Sequence, residues 1–339
     1  MTGSPCYIVT GGAGFVGSNL VAEIMRREKS ARIIVIDDLR SGSFANVVEA
    51  CDRIAERPFD GDFLAADTGA LDWNSLLEDL KPEAVFHLAS ITDTTVADER
   101  AMLDANVEGF RPVLVSCVES ETPLVYSSSA ATYGSPPEGR DRVAFPESSA
   151  GQPNNVYGFS KWLLENAHRS VASDCAAAGL EPPHVVGLRY FNVFGPGESR
   201  KGAMASMAYK LTNQILDGGR PRLFTGGEQA RDQIFVMDAV ECTLAAAEPG
   251  VTPGVFNCGS GRATSFNEIA DAVRSGLGRT GDDAATDYFE MPPNVRAFYQ
   301  DFTCADLSET QDALDWSPRF DPVSSIAEYA AHIAQRRSR

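Results

Sequence analysis

Long apolar runs are missing from this chain of 339 residues: no stretch approaches the ~20 consecutive apolar residues that a membrane-spanning helix needs. Basic charge is scarce as well. Lys and Arg total 29 against 47 acidic residues, a formal charge of −18, so the chain lacks the cationic face that a general nucleic-acid binder requires. There are only four histidines, and His87, His168, His184 and His332 are scattered, which argues against a protein-built metal site. The seven cysteines (Cys6, Cys51, Cys117, Cys175, Cys242, Cys258, Cys304) are odd in number, widely spaced and free of any Cys-x-x-Cys pair. Reduced structural thiols are expected, not a disulfide framework. The segment Met1 to Cys6 has no basic-then-apolar signal region. The expectation is a soluble, cytoplasmic protein with no nucleic acid, membrane or metal partner.

What is present is an ordinary globular composition, 43% hydrophobic and 22% charged, enough for one large domain or two modest ones sharing a core. Short β-branched or apolar runs alternate with helical patterns: Tyr7 to Val9, Ile33 to Ile36, Ala84 to Phe86, Leu124 to Tyr126 and Val185 to Leu188. Such alternation predicts βαβ units and a parallel sheet. Between the first two runs, Leu20, Val21, Ile24 and Met25 recur at helical spacing and give that helix one apolar face for the sheet. After about Phe191 the pattern loosens into Gly and Pro punctuation before a strand-like Gly254 to Phe256, which reads as a smaller cap interleaved with the end of the sheet. No internal repeat is visible, and the tail from Gln335 to Arg339 reads as a frayed, solvated helix end.

Directly after the first run comes Thr10-Gly11-Gly12-Ala13-Gly14-Phe15-Val16-Gly17. Glycines between a strand and an amphipathic helix let backbone N–H groups at a helix start receive a pyrophosphate without side chains in the way. About twenty residues further on, Asp37 and Asp38 end the second run, where a carboxylate accepts from ribose hydroxyls. Two carboxylates there repel a 2′-phosphate and favour NAD over NADP, whereas the nearby Arg40 acts the other way.

Tyr157 and Lys161 lie at i and i+4 on one helix face in Asn155-Val156-Tyr157-Gly158-Phe159-Ser160-Lys161. An adjacent ammonium and an oxidised nicotinamide both favour the phenolate of a tyrosine, which then exchanges a proton with a substrate hydroxyl. Ser127-Ser128-Ser129 follow the strand run ending at Tyr126, at the sheet edge where ligands bind in such folds, and Ser129 can hydrogen-bond the same oxygen.

The glycine turn, the serine-rich strand end and Tyr157-x-x-x-Lys161 together resemble the extended short-chain dehydrogenase/reductase family, which contains nucleotide-sugar epimerases and dehydratases; the resemblance covers nearly the whole chain. It implies an α/β fold, a Rossmann-type doubly wound parallel sheet with a smaller α/β substrate-binding domain. The expected division is residues 1–190, with 233–262 returning, for the dinucleotide domain, and 191–232 with 263–339 for the substrate domain. Within that class, four segments closely resemble the ADP-glycero-manno-heptose 6-epimerases: Arg189-Tyr190-Phe191-Asn192-Val193-Phe194-Gly195-Pro196; Lys201-Gly202-Ala203-Met204-Ala205-Ser206; Arg231-Asp232; and Phe298-Tyr299-Gln300-Asp301-Phe302-Thr303. This implies an isomerase with one tightly bound NADP or NAD per subunit, which takes hydride from C6 of an ADP-heptose and returns it to the opposite face of the ketone. Inversion needs proton transfer on two sides, and the resemblance assigns these to Tyr157 and Lys201, with Lys161 and Ser129 in support.

On the same resemblance, the cofactor contacts are Gly11, Gly14, Phe15, Val16, Gly17, Asp37, Asp38, Leu88, Ala89, Ser90, Asn106, Lys161 and Val193. The substrate contacts are Ser129, Asn192, Ala203, Lys210, Phe224, Arg231 and Tyr299, with Arg231 toward the diphosphate unless it merely pairs with Asp232. A homo-oligomer is implied, and a product used in lipopolysaccharide core or another heptose-containing glycan. The chain departs from the pattern at Ala203, where a serine is usual, and at Lys210, where a histidine is usual; it also lacks the basic NADP site around Ser41-Gly42-Ser43-Phe44. The exact sugar and the choice between NAD and NADP stay open. A 4,6-dehydratase is disfavoured because Ser129-Ala130-Ala131-Thr132 lacks the acid pair that water elimination needs. A UDP-hexose 4-epimerase needs only the Tyr157 group, so Lys201 argues against it. A non-catalytic NAD(P)-binding sensor on the same fold is the alternative from another class.

Overall fold

Ile8 and Val9 are neighbours in sequence and both completely buried, which requires a strand covered on both faces. The structure is a computed structural model that describes residues 4–93, 98–135, 142–279, 285–292 and 299–338; Met1, Phe298 and Arg339 lie outside the described residues. Ile8 belongs to β1 (Cys6–Thr10), which leads through α1 (Phe15–Arg27) to β2 (Arg32–Ile36), then through α2 (Phe44–Ala50) to β3 (Asp62–Leu64). The chain continues through α3 (Trp73–Leu80), β4 (Ala84–His87), α4 (Glu99–Leu103), α5 (Arg111–Glu119), β5 (Leu124–Ser129), α6 (Val156–Ala177) and β6 (Val185–Tyr190). These strands, joined by β10 (Gly254–Cys258), form one sheet in the order β3-β2-β1-β4-β5-β6-β10, parallel at every pairing.

Successive residues of these strands feed two cores. Val9, Val35, Phe86 and Val125 pack with Leu20, Ile24 and Met25 of α1, as the apolar face of that helix predicts. Ile8, Ile34, Val85 and Tyr126 pack with Leu77, Val113 and Leu164 of α3, α5 and α6. Each fully buried aliphatic side chain stabilises the fold by ~1.5–3 kcal/mol. The order reverses between β1 and β4, so the turns after their carboxyl ends form the crevice in which ligands bind in doubly wound sheets.

Past β6 the chain leaves this sheet. A smaller one has β7 (Asn192–Phe194) parallel to β9 (Ala230–Phe235), which is antiparallel to β11 (Ala263–Ser265), while β8 (Arg222–Phe224) pairs with β12 (Asp287–Phe289). A third core joins α7 (Met207–Leu216), α9 (Phe266–Gly276) and the helix Pro322–Arg337 through Leu211, Ile269, Val273 and Ile326. Between β9 and β10, α8 (Val236–Ala245) returns to pack on α1. Two expectations change. β3 was not anticipated, because its three residues lie at the sheet edge and alternate between exposed and half-buried. The tail is the exposed helix end expected of it, but helical rather than frayed up to Arg337, where Arg336 pairs with Glu49 at 3.1 Å and Arg337 with Asp217 at 2.7 Å. All seven cysteines are free. Among the described residues no helix is long and apolar enough to cross a membrane.

Candidate active site

The turn after β1 can be built only from glycine at two points. Gly11 has φ 65°, and a Cβ there would stand 2.6 Å from the Ala89 nitrogen; a Cβ on Gly17 would stand 2.2 Å from the Gly11 oxygen. Leu88 and Ala89, following β4, therefore press on the turn from one side while α1 begins hard against the other. Gly14 caps α1 with no side-chain bond. The first-turn N–H groups, which have no intrahelical acceptor, carry the positive end of the helix dipole. An uncapped helix start beside a turn with no room for a Cβ fits a dinucleotide pyrophosphate.

Asp37 and Asp38 behave differently. Asp37 is buried and braces the turn, its Oδ2 accepting from Ala13 N at 3.0 Å and its Oδ1 from Leu39 N at 2.9 Å. Burial pushes its carboxyl up and those two N–H donors pull it back. Asp38 is exposed and pairs with Arg40 at 3.0 Å, so the second carboxylate and the nearby cation offset each other. Ser90 and Ile91 continue from β4, and the buried Asn106 amide clamps that loop: it accepts from Ile91 N at 2.7 Å and donates to Ile91 O at 3.0 Å and to Ser160 Oγ at 2.9 Å. Asn106 thus ties the loop to α6 rather than presenting its amide to the crevice.

Asn155 caps α6, its Oδ1 accepting from Gly158 N at 2.8 Å, so Tyr157 falls in the first turn and Lys161 one turn later. The Ser129 hydroxyl bonds the Tyr157 side chain. Lys161 Nζ is buried beneath, donating to Ser127 O at 2.9 Å and to Ser127 Oγ at 3.2 Å, and lies 5.9 Å from the Tyr157 ring centre. Spacing alone predicts an ammonium that draws the phenol down. In the folded chain burial dominates both groups: it pushes the Tyr157 phenol up, against the Ser129 bond, and brings Lys161 down to about 7. Lys161 is a weaker support for a phenolate than its spacing suggests.

A network that sequence reasoning missed holds this helix. Glu165, fully buried, accepts from Arg189 at 2.9 and 2.8 Å, from Ser128 Oγ at 2.6 Å and from Arg169 at 2.9 Å. Arg189 also donates to Tyr133 Oη at 2.9 Å, which in turn donates to Asn257 Oδ1 at 2.7 Å. β5, α6, β6 and β10 are thereby locked around the Ser129-Tyr157-Lys161 set.

Lys201 is half-buried on the short helical segment Glu198–Met204, with Nζ 5.2 Å from the Phe15 ring centre, at the start of α1. Its loop is anchored by a second missed residue, Glu198. This carboxylate is fully buried and accepts from Gly195 N at 3.1 Å, Ser206 N at 2.6 Å, Ser206 Oγ at 2.8 Å and the Tyr329 hydroxyl. Burial pushes the Lys201 ammonium down, with Glu198 opposing and Lys210 assisting. Lys210 lies close by on α7, and Ala203 is exposed on the loop.

The remaining substrate candidates gather on the smaller sheets. The Arg231 guanidinium stacks 5.0 Å from the Tyr299 ring centre, and that ring meets Phe224 edge-on at 5.5 Å. Burial pushes Arg231 down, with Tyr299 and Asp301 opposing. The simple pairing of Arg231 with Asp232 is excluded: the buried Asp232 carboxylate accepts from Ser260 at 2.7 Å, Gly261 N at 2.9 Å and Ala305 N at 3.0 Å. On β7, Asn192 is exposed opposite Gln233 of β9, and Val193 is half-buried beside it.

This fold, with its glycine turn at the switch point, is that of a Rossmann-type α/β protein. Sequence comparison makes the class specific: the chain belongs to the NAD dependent epimerase/dehydratase family, which it matches over residues 7–259. Among solved structures it is similar to ADP-L-glycero-D-manno-heptose-6-epimerase from Helicobacter pylori, at 30% identity over 98% of this chain and 96% of that one, TM-score 0.81. It is also similar to a UDP-N-acetylglucosamine 4-epimerase from Methanobrevibacter ruminantium, at 25% identity over 98% and 100%, TM-score 0.81. UDP-glucose 4-epimerase from Thermotoga maritima, at 24% identity over 98% and 99%, TM-score 0.79, shares the fold.

Proposed function

We propose that the chain is a nucleotide-sugar epimerase that inverts a hydroxyl-bearing carbon through a transient ketone, acting at C6 of an ADP-glycero-manno-heptose. The observation that carries this reading is that two groups able to carry a proton stand on different elements: Tyr157, beside Ser129 and the buried Lys161, and Lys201, held against Phe15. The 30% identity to the Helicobacter pylori heptose epimerase supports the choice of sugar. We read residues 1–190 with 233–262 as the dinucleotide unit and residues 191–232 with 263–339 as the substrate unit.

Bound NAD or NADP supplies the two-electron oxidant and returns the hydride. Gly11, Gly14, Phe15, Val16 and Gly17 would hold its pyrophosphate, and Asp37 and Asp38 its ribose. Leu88, Ala89, Ser90, Lys161 and Val193 would line the rest, with Asn106 fixing the loop behind them. Tyr157 or Lys201 takes the proton of the sugar hydroxyl as its C=O forms, and the other returns a proton after inversion. Arg231 would bind the diphosphate bidentately, next to Phe224 and Tyr299; Asn192, Ala203 and Lys210 would face the sugar.

The test is mass spectrometry of small molecules released on denaturation, coupled to an NMR assay for C6 inversion of ADP-D-glycero-β-D-manno-heptose. Tyr157→Phe and Lys201→Met are each expected to lower turnover ~10²–10⁴-fold while bound nicotinamide is retained. Wild-type turnover in Lys201→Met would remove the second proton carrier. That result, together with activity on a UDP-hexose, would move the reading to a 4-epimerase.

A further inference from the structure

Two buried asparagines join the glycine turn to the segment that carries Lys201. Asn19 of α1 donates its amide to Phe15 O at 2.8 Å and to Pro196 O at 3.1 Å, while its Oδ1 accepts from Arg53 at 2.6 Å. Asn46 of α2 donates to Ala13 O at 2.8 Å, and its Oδ1 accepts from Arg200 Nη1 at 2.6 Å. Each amide thus grips a carbonyl of the turn or of the helix start and reaches across to the far segment, one at Pro196 and the other at Arg200. Ala13 is also the residue that Ser43 N meets at 2.9 Å and whose own N–H donates to Asp37 at 3.0 Å, so Asn46 holds the turn where its other supports converge.

Lys201 follows Arg200 directly. After it comes Gly202, with φ 54° and open space where a Cβ would stand. The backbone around Lys201 is therefore fastened on its amino side and kinked on its carboxyl side, with the ammonium 5.2 Å from the Phe15 ring centre. The 3.3 Å ion pair of Arg200 with Glu49 is half-exposed on both sides and adds little. A charged donor on the oxygen of a buried amide is the stronger contact.

We propose that Arg200 is a positioning residue for Lys201: through Asn46 it ties the Lys201 segment to the pyrophosphate turn, and so keeps the amine in register with the dinucleotide. This rests on the reading above that Lys201 is a proton carrier. Arg200 acts through the backbone and takes no proton itself. The demand for register is strict, because a misplacement of ~1 Å at a reacting group costs up to about 10²-fold in rate.

The experiment compares Arg200→Met with the unaltered protein, both loaded with cofactor. Turnover is expected to fall about tenfold, with KM for the nucleotide sugar and the nicotinamide released on denaturation unchanged. Amide hydrogen exchange in the peptide spanning residues 198–206 is expected to quicken. Arg200→Lys, which still offers a charged donor to Asn46, restores most of the turnover; should the Met variant fail to fold, Arg200→Gln takes its place. In a Lys201→Met background Arg200→Met causes no further loss, since it acts only through that lysine. An equal loss in both backgrounds overturns the proposal, as do unchanged exchange in that peptide, a raised KM at unchanged kcat, or loss of the bound nicotinamide. Wild-type turnover in Lys201→Met would instead remove the proton-carrier reading, and this inference with it.

Discussion

The two amine-bearing regions of the candidate site are built in opposite ways. Around Tyr157 the side chains stand on regular elements of the main sheet, and the carboxylate that fixes their helix, Glu165, meets two guanidinium groups in direct contact. Around Lys201 they stand on a kinked loop in which Gly202 breaks the helical path, and the carboxylate that fixes it, Glu198, is bonded to the loop itself through Gly195 N and Ser206 N. The first arrangement sets a position. The second secures a loop through one buried carboxylate, so the two regions differ in how their side chains are held: Tyr157 on regular elements of the main sheet, Lys201 on a kinked segment fastened by Glu198.

Removing the anchor of the rigid region tests this contrast most severely. Glu165→Ala leaves Arg189 charged and buried without its partner, and a loss of about 3–5 kcal/mol is expected in urea unfolding; a loss below ~1 kcal/mol would show that the network is no lock. Glu198→Gln removes the charge and keeps only one of the two accepting oxygens, leaving a loop donor opposite an NH2 group, so the same measurement is expected to show about 1–3 kcal/mol. Equal losses at the two sites would erase the distinction. The last effect is a slope. Lys161 is brought down to about 7 in the folded chain and returns to its ordinary value of ~10.4 on unfolding, so the unfolded chain binds more protons between these limits. This contribution makes stability rise with pH across that window. Melting temperatures compared from pH 7 to 10 are expected to rise less steeply in Lys161→Met, and parallel curves would refute the shift.

The main sheet was largely legible in the sequence, because β1, β2, β4, β5, β6 and β10 each bring a short apolar run and two covered faces. So was the glycine turn, whose local geometry permits nothing larger at Gly11 or Gly17. The Tyr157-x-x-x-Lys161 spacing told where the two side chains sit but not their ionisation, which depends on burial that spacing cannot report. Glu165 and Glu198 gave no signal at all. A glutamate inside a polar helix or a Gly-rich loop reads as solvated, and its partners here, such as Arg189 for the one and Tyr329 for the other, come from distant parts of the chain.

The place of β10 at the sheet edge has a consequence for synthesis. β6 pairs with β5 on one side and with β10 on the other, yet 63 residues separate Tyr190 from Gly254, and the small sheets are threaded between them. A ribosome that has released everything up to β6 holds a sheet with an open, hydrogen-bonding edge. The β6 edge is covered only after Cys258 has emerged, so through this interval the nascent chain presents an unpaired strand edge. Cutting the gene after Tyr190 would separate β6 from β10, and neither fragment would inherit a finished sheet.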